Sequence, residues 1–98
     1  MPWLVYVLVS RRAARTYVGI AIDVRRRLGQ HNGLANGGAK ATRAFRPWRL
    51  GIVHGPFASR GEAQSVEHRV KKLRGRRRLA GIDGIRIVRA GSRKRTNG

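Results

Sequence analysis

The chain contains no cysteine and only four acidic residues, Asp23, Glu62, Glu67 and Asp83. The absence of cysteine excludes disulfides and thiolate metal sites, but it leaves the cellular compartment undecided. Four scattered carboxylates also argue against a two-metal carboxylate cluster. Asp23 and Glu62 stand where helix capping would explain them, and Asp83 lies in a turn flanked by glycines. Glu67 is the acidic residue that remains for chemistry.

Long apolar runs are missing as well. No segment approaches the roughly 18 apolar residues that a membrane-spanning helix needs. The N-terminal run Trp3–Val9 lacks the basic lead-in and the small-residue cleavage site of a signal peptide. We therefore expect neither a signal peptide nor a transmembrane segment.

Positive charge is what the chain has in excess. Twenty-three Lys and Arg residues give a formal net charge of +19 over 98 residues. A small domain that repels itself this strongly is costly unless a polyanion neutralises it, and nucleic acid is the usual one. On charge alone, an enzyme acting on nucleic acid and a basic binding protein without chemistry remain equally open.

Two segments near the N-terminus predict a β-hairpin. Trp3–Val9 is a continuous apolar run rich in β-branched residues, which indicates a strand buried on both faces. Ser10–Arg15 is short and polar, and Thr16–Ile22 reads as the antiparallel partner strand. Such a hairpin brings Tyr6 and Tyr17 to neighbouring places, on one face if the register permits.

Capping residues and glycines divide the rest of the chain. Asp23 is an N-cap for a first helix, and Ser59 with Glu62 forms a capping box for a second. The predicted order after the hairpin is a helix to about Asn32, a loop over 33–46, a strand over 48–54, a helix over 59–73 and a short third helix over 76–80. Ile85–Val88 fits either a last strand or an extended tail.

These elements predict an α/β (α+β) domain over residues 1–90. Its core would be a three-stranded antiparallel sheet with flanking helices, in the order β-β-α-β-α-α. Residues 91–98 are basic and lack capping signals, so we expect a disordered tail.

An ordered set of motifs resembles a nuclease family. Leu4-Val5-Tyr6 is followed ten residues later by Tyr17-Val18-Gly19, then by Arg27 eight residues beyond the glycine, His31-Asn32, and Glu67 in the second helix. Together they resemble the GIY-YIG nuclease family in its small single-domain branch, which includes UvrC N-terminal-domain-like and Slx-type structure-specific endonucleases. Leucine replaces the first glycine of the family pattern. The resemblance covers residues 3 to about 75.

The central part of the chain is similar to the structure-specific branch in particular. The matching stretches are Gly38-Ala39-Lys40, Thr42, Arg46-Pro47-Trp48-Arg49-Leu50 and Ile52-Val53-His54-Gly55. Enzymes of that branch normally carry a Cys/His zinc domain and work with a scaffold partner. Since this chain has no cysteine, a preference for branched DNA is a hypothesis.

The resemblance implies five catalytic residues: Tyr6, Tyr17, Arg27, His31 and Glu67. One tyrosine would be the general base, and we favour Tyr17, with Tyr6 orienting water or phosphate. Neighbouring arginines would favour the phenolate by lowering a tyrosine pKa. Arg27 would face the scissile phosphate, and His31 would polarise a tyrosine or hold phosphate. Glu67 would weakly hold one Mg²⁺ or Mn²⁺ ion, mostly through water.

Structural roles compete with these assignments. Glu67 could simply pair with Lys71 one turn along the helix, and Arg27 could be one of three solvated arginines. His31 could be a core histidine satisfied by the backbone. Trp48 is assigned to the core rather than to base stacking, and His54 receives no role.

A further group is assigned to the substrate. It consists of Gly19, Arg25, Arg26, Lys40, Arg43, Arg46 and Arg74, and the basic run to Arg78 is expected to track the duplex backbone. Gly19 either relieves crowding after the strand or lets Arg27 and the tyrosines approach the phosphate.

The resemblance therefore implies a metal-dependent endonuclease that nicks DNA phosphodiester bonds, in repair or recombination on branched DNA. Its partners would be DNA and a protein scaffold or partner subunit, and it would not bind a membrane. Its location would be intracellular, in the cytoplasm or nucleus. Two alternatives stay open: a non-catalytic nucleic-acid-binding module that kept the fold, and a nuclease subunit active only with a partner.

Overall fold

The computed structural model describes residues 2–88, so the predicted tail over 91–98 lies outside the described residues. The strands are β1 (Trp3–Ser10), β2 (Thr16–Ala21), β3 (Trp48–Phe57) and β4 (Ile87–Val88), and the helices are α1 (Val24–His31) and α2 (Arg60–Lys71). Two short 3-10 turns, Lys40–Thr42 and Gly75–Leu79, replace part of the predicted loop and the predicted third helix. None of the helices within residues 2–88 is long and apolar enough to cross a membrane.

The sheet is antiparallel throughout, with the strands in the order β2-β1-β3-β4. The central strand β1 is buried along most of its length, which confirms the reading of its continuous apolar run. Its hairpin with β2 sets Tyr6 opposite Gly19 and Leu8 opposite Tyr17. Side chains on a strand alternate between faces. Tyr6 and Tyr17 therefore project from the same face of the sheet.

The fourth strand goes beyond the three-stranded sheet that the sequence predicts. Its pairs with β3 are Val53 with Val88 and His54 with Ile87. The backbone N–H of Gly55 also donates to the carbonyl of Arg86, at 2.9 Å. A two-residue strand is too short to show a periodicity of its own. It forms because the edge of β3 offers unpaired backbone groups.

A helix covers each face of the sheet. On one face, α2 packs against β1 and β2 and closes a core made by Val5, Val7, Val18, Ile52, Ala63, Val66 and Val70. On the other face, α1 helps to cover a second core made by Tyr6, Leu8, Ala21, Val24, Trp48 and Val53. Trp48 is only 3% exposed, so its assignment to the core is confirmed.

The capping signals lie where the sequence places them. The Asp23 side chain accepts from the backbone N–H of Arg26 at 3.0 Å and starts α1. Ser59 and Glu62 form a reciprocal capping box at the start of α2. These caps satisfy backbone donors that have no partner inside the helix, and so they fix where each helix begins.

One buried polar residue has no evident structural role. His54 on β3 is 0% exposed, and neither of its ring nitrogens has a hydrogen-bond partner among the described residues. Burial lowers the pKa of this imidazole from its usual 6.5. In the unfolded chain the ring binds a proton below about pH 6.5. The unfolded state thus binds more protons just below that pH, and stability falls as the pH drops from 6.5 toward the folded-state pKa.

We expect His54→Leu to raise the free energy of unfolding by about 1–2 kcal/mol at pH 7.5, since it removes an unsatisfied buried polar group. The gain in stability should be larger at pH 5, because the His54 ring of the wild type binds fewer protons when folded than when unfolded, and leucine binds none. Urea unfolding at the two pH values measures both effects. The exposed residue His68 supplies the control: His68→Leu should not raise the free energy of unfolding at pH 7.5 as His54→Leu does. Equal pH dependence in His54→Leu and wild type would contradict the expectation.

Candidate active site

Three aromatic rings meet on the α1 side of the sheet. The hairpin register places the two tyrosines on this face, and the last residue of α1 brings in His31. The ring centroids of Tyr6 and Tyr17 are 6.4 Å apart, those of Tyr6 and His31 5.9 Å, and those of Tyr17 and His31 4.7 Å. Three of the five predicted catalytic residues therefore form one cluster, which we call the ring cluster.

Gly19 makes room for this cluster. A Cβ atom at this position would lie 2.5 Å from the hydroxyl oxygen of Tyr6 and 2.6 Å from its Cζ. Such distances are far inside van der Waals contact, so any side chain would displace the phenol. The space above Gly19 is filled by Tyr6 itself. The glycine thus shapes the site by accommodating the tyrosine.

The ring cluster is tied to the loop after α1 by hydrogen bonds. The Tyr6 hydroxyl lies 2.8 Å from Nε2 of His31, and Nδ1 of His31 lies 3.0 Å from the hydroxyl oxygen of Thr42. Tyr6 is 1% exposed, and His31 and Thr42 are both 0% exposed. The histidine ring is therefore satisfied by side chains and not by the backbone.

Burial sets the protonation states in the cluster. Burial, and after it the positive charges of Arg27 and Arg46, lower the pKa of His31 from 6.5 to about 4. The ring is thus neutral at physiological pH. Burial also raises the pKa of the Tyr6 hydroxyl, and this outweighs the lowering by the nearby Arg27. Arg27 thus acts on Tyr6 in the expected direction, but the pKa of this hydroxyl is raised overall because desolvation of the phenolate is the larger effect.

Arg27 is fixed beside the cluster. Its Nη1 donates to the side-chain oxygen of Gln30 at 2.6 Å and to the carbonyl of Gly37 at 2.8 Å. Its side chain is half-buried, whereas Arg25 and Arg26 on the same helix are exposed. Arg27 is thus not a third solvated arginine like its two neighbours, and its role at the phosphate stays a prediction.

Glu67 lies on α2, the helix that covers the other face of the sheet. Its Oε2 pairs with Nζ of Lys71 at 3.3 Å, and its side chain is only 20% exposed. The carboxylate is close enough to Tyr6 for its negative charge to raise the pKa of the Tyr6 hydroxyl. The helix ion pair therefore coexists with an electrostatic effect of Glu67 on Tyr6.

The donor set suits only one kind of metal site. Within residues 2–88 no three His, Cys, Asp or Glu side chains come together in a group that could hold an ion. A single carboxylate still fits Mg²⁺, which keeps several waters and is commonly bound by one or two carboxylates together with substrate phosphates. Glu67 is the residue that would hold it.

The remaining predicted contacts divide into exposed and internal ones. Arg25, Arg26, Lys40, Arg43 and Arg74 are exposed. Arg46 is half-buried, and its Nε donates to the carbonyl of His31 at 2.6 Å. This bond ties the loop to the end of α1, so at least part of the Arg46 guanidinium serves the fold.

Arg78 has a structural role that the sequence reading missed. Its guanidinium donates to the carbonyls of Leu73 and Lys71 at 2.8 and 3.0 Å, and to the hydroxyl of Thr16 at 3.0 Å. It joins the end of α2 to the start of β2. Its Nε, Nη1 and Nη2 each give one hydrogen bond within the protein, so at least part of this guanidinium serves the fold, and its contact with the duplex backbone stays a prediction.

Two grooves meet at Gln30, and Arg27 lines the larger of them. One, of about 540 Å³, is lined by Arg26, Arg27 and Gln30 together with residues from the end of β2. The other, of about 240 Å³, is polar and lies between Gln30, the glycines of the loop, and Arg43 and Arg46. Gln30 lines both grooves. Each groove carries two arginines, and the acidic Asp23 also lines the larger one.

Comparison with known proteins agrees with this geometry. A family model described as the GIY-YIG catalytic domain matches residues 2–80. The structure-specific endonuclease subunit slx1 of Talaromyces stipitatus is 35% identical over 95 residues, which cover 94% of this chain and 23% of that protein. The corresponding subunit of Meyerozyma guilliermondii is 39% identical over 83 residues, 82% of this chain and 28% of that protein.

A third relative shows the same imbalance in length. The subunit slx1 of Schizosaccharomyces japonicus is 47% identical over 58 residues, 56% of this chain and 21% of that protein. The chain thus spans about a quarter of the length of these curated relatives.

Proposed function

Because the chain belongs to the GIY-YIG family, we propose that it is a metal-dependent endonuclease that nicks DNA phosphodiester bonds. The observation that carries the proposal is the ring cluster of Tyr6, Tyr17 and His31, with the charges of Arg27 and Glu67 both acting on the Tyr6 hydroxyl. Phosphodiester cleavage needs a proton acceptor for the attacking water and positive charge beside the pentavalent phosphate. The ring cluster offers the proton acceptor, and Arg27 beside it offers the positive charge.

Tyr17 is the general base in this proposal. Its side chain is half-buried, while the Tyr6 hydroxyl is enclosed and bonded to His31. A base must reach the water whose proton it takes. Burial also disfavours the phenolate of Tyr6, since it raises the pKa of that hydroxyl. Tyr6 therefore positions its neighbours, and Tyr17 accepts the proton.

Arg27 binds the scissile phosphate. One of its terminal nitrogens donates to Gln30 and to the carbonyl of Gly37. These two hydrogen bonds fix the orientation of the planar guanidinium. A pre-oriented guanidinium can give two parallel hydrogen bonds to phosphate oxygens. It stabilises the extra negative charge that develops on those oxygens.

Glu67 holds one Mg²⁺ or Mn²⁺ ion, weakly and mostly through water. When bound, the ion supplies further positive charge beside the phosphate. The Glu67 carboxylate is available for this role because its pair with Lys71 is a helix-surface ion pair, and such pairs contribute only about 0.3–0.5 kcal/mol.

The exposed basic residues bind the DNA backbone. They are Arg25, Arg26, Lys40, Arg43 and Arg74, which lie on α1, on the loop beyond it and at the end of α2. Contacts of this kind position the duplex without reading its sequence. Gly19 and Arg46 support the site from within, through the space for Tyr6 and the bond to the carbonyl of His31.

The preferred substrate in this proposal is branched DNA, and the enzyme works inside the cell in repair or recombination. The support is that the curated relatives are named subunits of structure-specific endonucleases. Because those relatives are named as subunits, they also support a partner protein for this chain. This chain matches about a quarter of the length of each relative.

The test is nicking of labelled flap, four-way-junction and matched linear duplex DNA by the wild-type chain with Mg²⁺, Mn²⁺ or EDTA. We expect nicks only with metal, and on the flap at least about tenfold faster than on the duplex, which corresponds to about 1.4 kcal/mol of extra transition-state binding. Equal rates on flap and duplex would contradict the preference for branched DNA.

Two other outcomes would favour the alternatives. Salt-dependent binding without any metal-dependent nick would favour a non-catalytic binding module. Nicking that begins only when a partner subunit is added would favour a subunit that depends on its complex.

A further inference from the structure

Thr42 is a buried polar residue with a fixed proton. It ends the 3-10 turn Lys40–Thr42 and is 0% exposed. Its hydroxyl donates to the carbonyl of Ala39 at 2.7 Å, and its backbone N–H points to the same carbonyl at 3.1 Å. A threonine hydroxyl carries a single hydrogen. Since that hydrogen is used on Ala39, the oxygen can only accept in any other bond.

This fixes the tautomer of His31. Nδ1 of the ring lies 3.0 Å from the Thr42 hydroxyl oxygen, so Nδ1 must carry the hydrogen of that bond. The buried ring is neutral and therefore has only one N–H. Nε2 is then an acceptor, and the Tyr6 hydroxyl, 2.8 Å away, donates to it.

We infer that Thr42 is a positioning residue of the candidate active site: it holds His31 in the Nδ1–H tautomer, so that the Tyr6 proton is committed to the ring. With its proton committed, Tyr6 can only accept hydrogen bonds on the side facing the site. It therefore orients donors, namely water or the Arg27 guanidinium, and gives no hydrogen bond to a phosphate oxygen. In the other tautomer, the His31 ring would donate and the Tyr6 proton would be released toward the phosphate.

The position of Thr42 is also held through its backbone. The indole Nε1 of Trp48 donates to the Thr42 carbonyl at 2.7 Å. The loop is thus anchored to β3 through the backbone of Thr42, independently of the side-chain hydroxyl. This permits two informative variants: Thr42→Val keeps the shape of the side chain and loses the hydroxyl, and Thr42→Ser keeps the hydroxyl.

The tautomer can be measured directly on the whole chain by ¹⁵N and ¹³C NMR of the histidine rings at pH 7. His31→Gln identifies the His31 signals by their loss. We expect the Nδ1–H tautomer in the wild type and in Thr42→Ser, and a change toward Nε2–H in Thr42→Val. Thr16→Val, which removes a hydroxyl bonded to Arg78, should leave the tautomer unchanged. An Nε2–H ring in the wild type would overturn the inference, whatever the Thr42 variants show.

The kinetic part of the inference rests on the proposed nuclease function. Thr42→Val should lower kcat for nicking by about 10–100-fold with little change in KM for DNA, and Thr42→Ser should stay within about threefold of the wild type. An equal loss in both variants would assign Thr42 to packing and overturn the inference. If the wild type cuts no DNA, the proposed function fails, while the tautomer of His31 still decides the role of Thr42.

Discussion

Glu67→Gln should lower metal-dependent nicking by at least about 1,000-fold, equivalent to roughly 4 kcal/mol of transition-state stabilisation. The glutamine keeps the size of the side chain but has no charge with which to hold a divalent cation. DNA binding should stay within about twofold of the wild type, because one carboxylate hardly alters a net charge of +19. Single-turnover cleavage of a flap, together with binding in EDTA, measures the two quantities separately.

Two variants serve as controls for this result. Asp83→Asn makes the same chemical change at an exposed turn and should retain full activity. Lys71→Met breaks the ion pair to Glu67 but keeps the carboxylate, so nicking should persist. If Lys71→Met and Glu67→Gln lost activity equally, the ion pair would be the important feature and the assignment of Glu67 as a metal ligand would be wrong.

The second large effect is expected at Tyr17. Tyr17→Phe should lower kcat by about 10²–10⁴-fold, the usual contribution of a general base. It removes only the hydroxyl, so the ring contact with His31 and the binding of DNA should remain. Tyr6→Phe should cost less, about tenfold, because the buried hydroxyl of Tyr6 positions other groups and does not take the proton.

The pH dependence of kcat separates the two tyrosines. A rate limited by a general base rises with pH until the base is ionised. That rise should disappear in Tyr17→Phe and persist in Tyr6→Phe. The opposite pattern, with the pH dependence lost only in Tyr6→Phe, would exchange the two roles and would show that the enclosed hydroxyl can lose its proton.

Local sequence signals predicted most of the fold because they act over a few residues. The apolar run of β1, the N-cap Asp23 and the capping box at Ser59 each report a local preference that the tertiary structure preserves. The strand pairing that brings Tyr6 and Tyr17 to one face also followed from the alternation of side chains. The fourth strand could not be predicted in this way, because Ile87–Val88 becomes a strand by pairing with β3 and has no periodicity of its own.

The details of the site depended on contacts between distant residues. Thr42 lies 11 residues beyond His31, across a loop without periodicity, and only the folded chain shows that the two side chains meet. The arginines pose the same difficulty. Arg78 and Arg74 look alike in the sequence, yet Arg78 bonds to residue 16 across the fold and Arg74 is exposed. The family pattern identified which residues matter, and their chemistry required the geometry.

The folded domain extends beyond the residues that match the family model. The family match ends at residue 80, whereas Ile82 and Ile85 still pack on the core beneath α2 and Ile87–Val88 still completes the edge of the sheet. A chain shortened to the matched residues would keep every candidate catalytic group and lose part of the support for both layers. Inactivity of such a fragment would therefore report incomplete folding, and it would say nothing against the catalytic assignment.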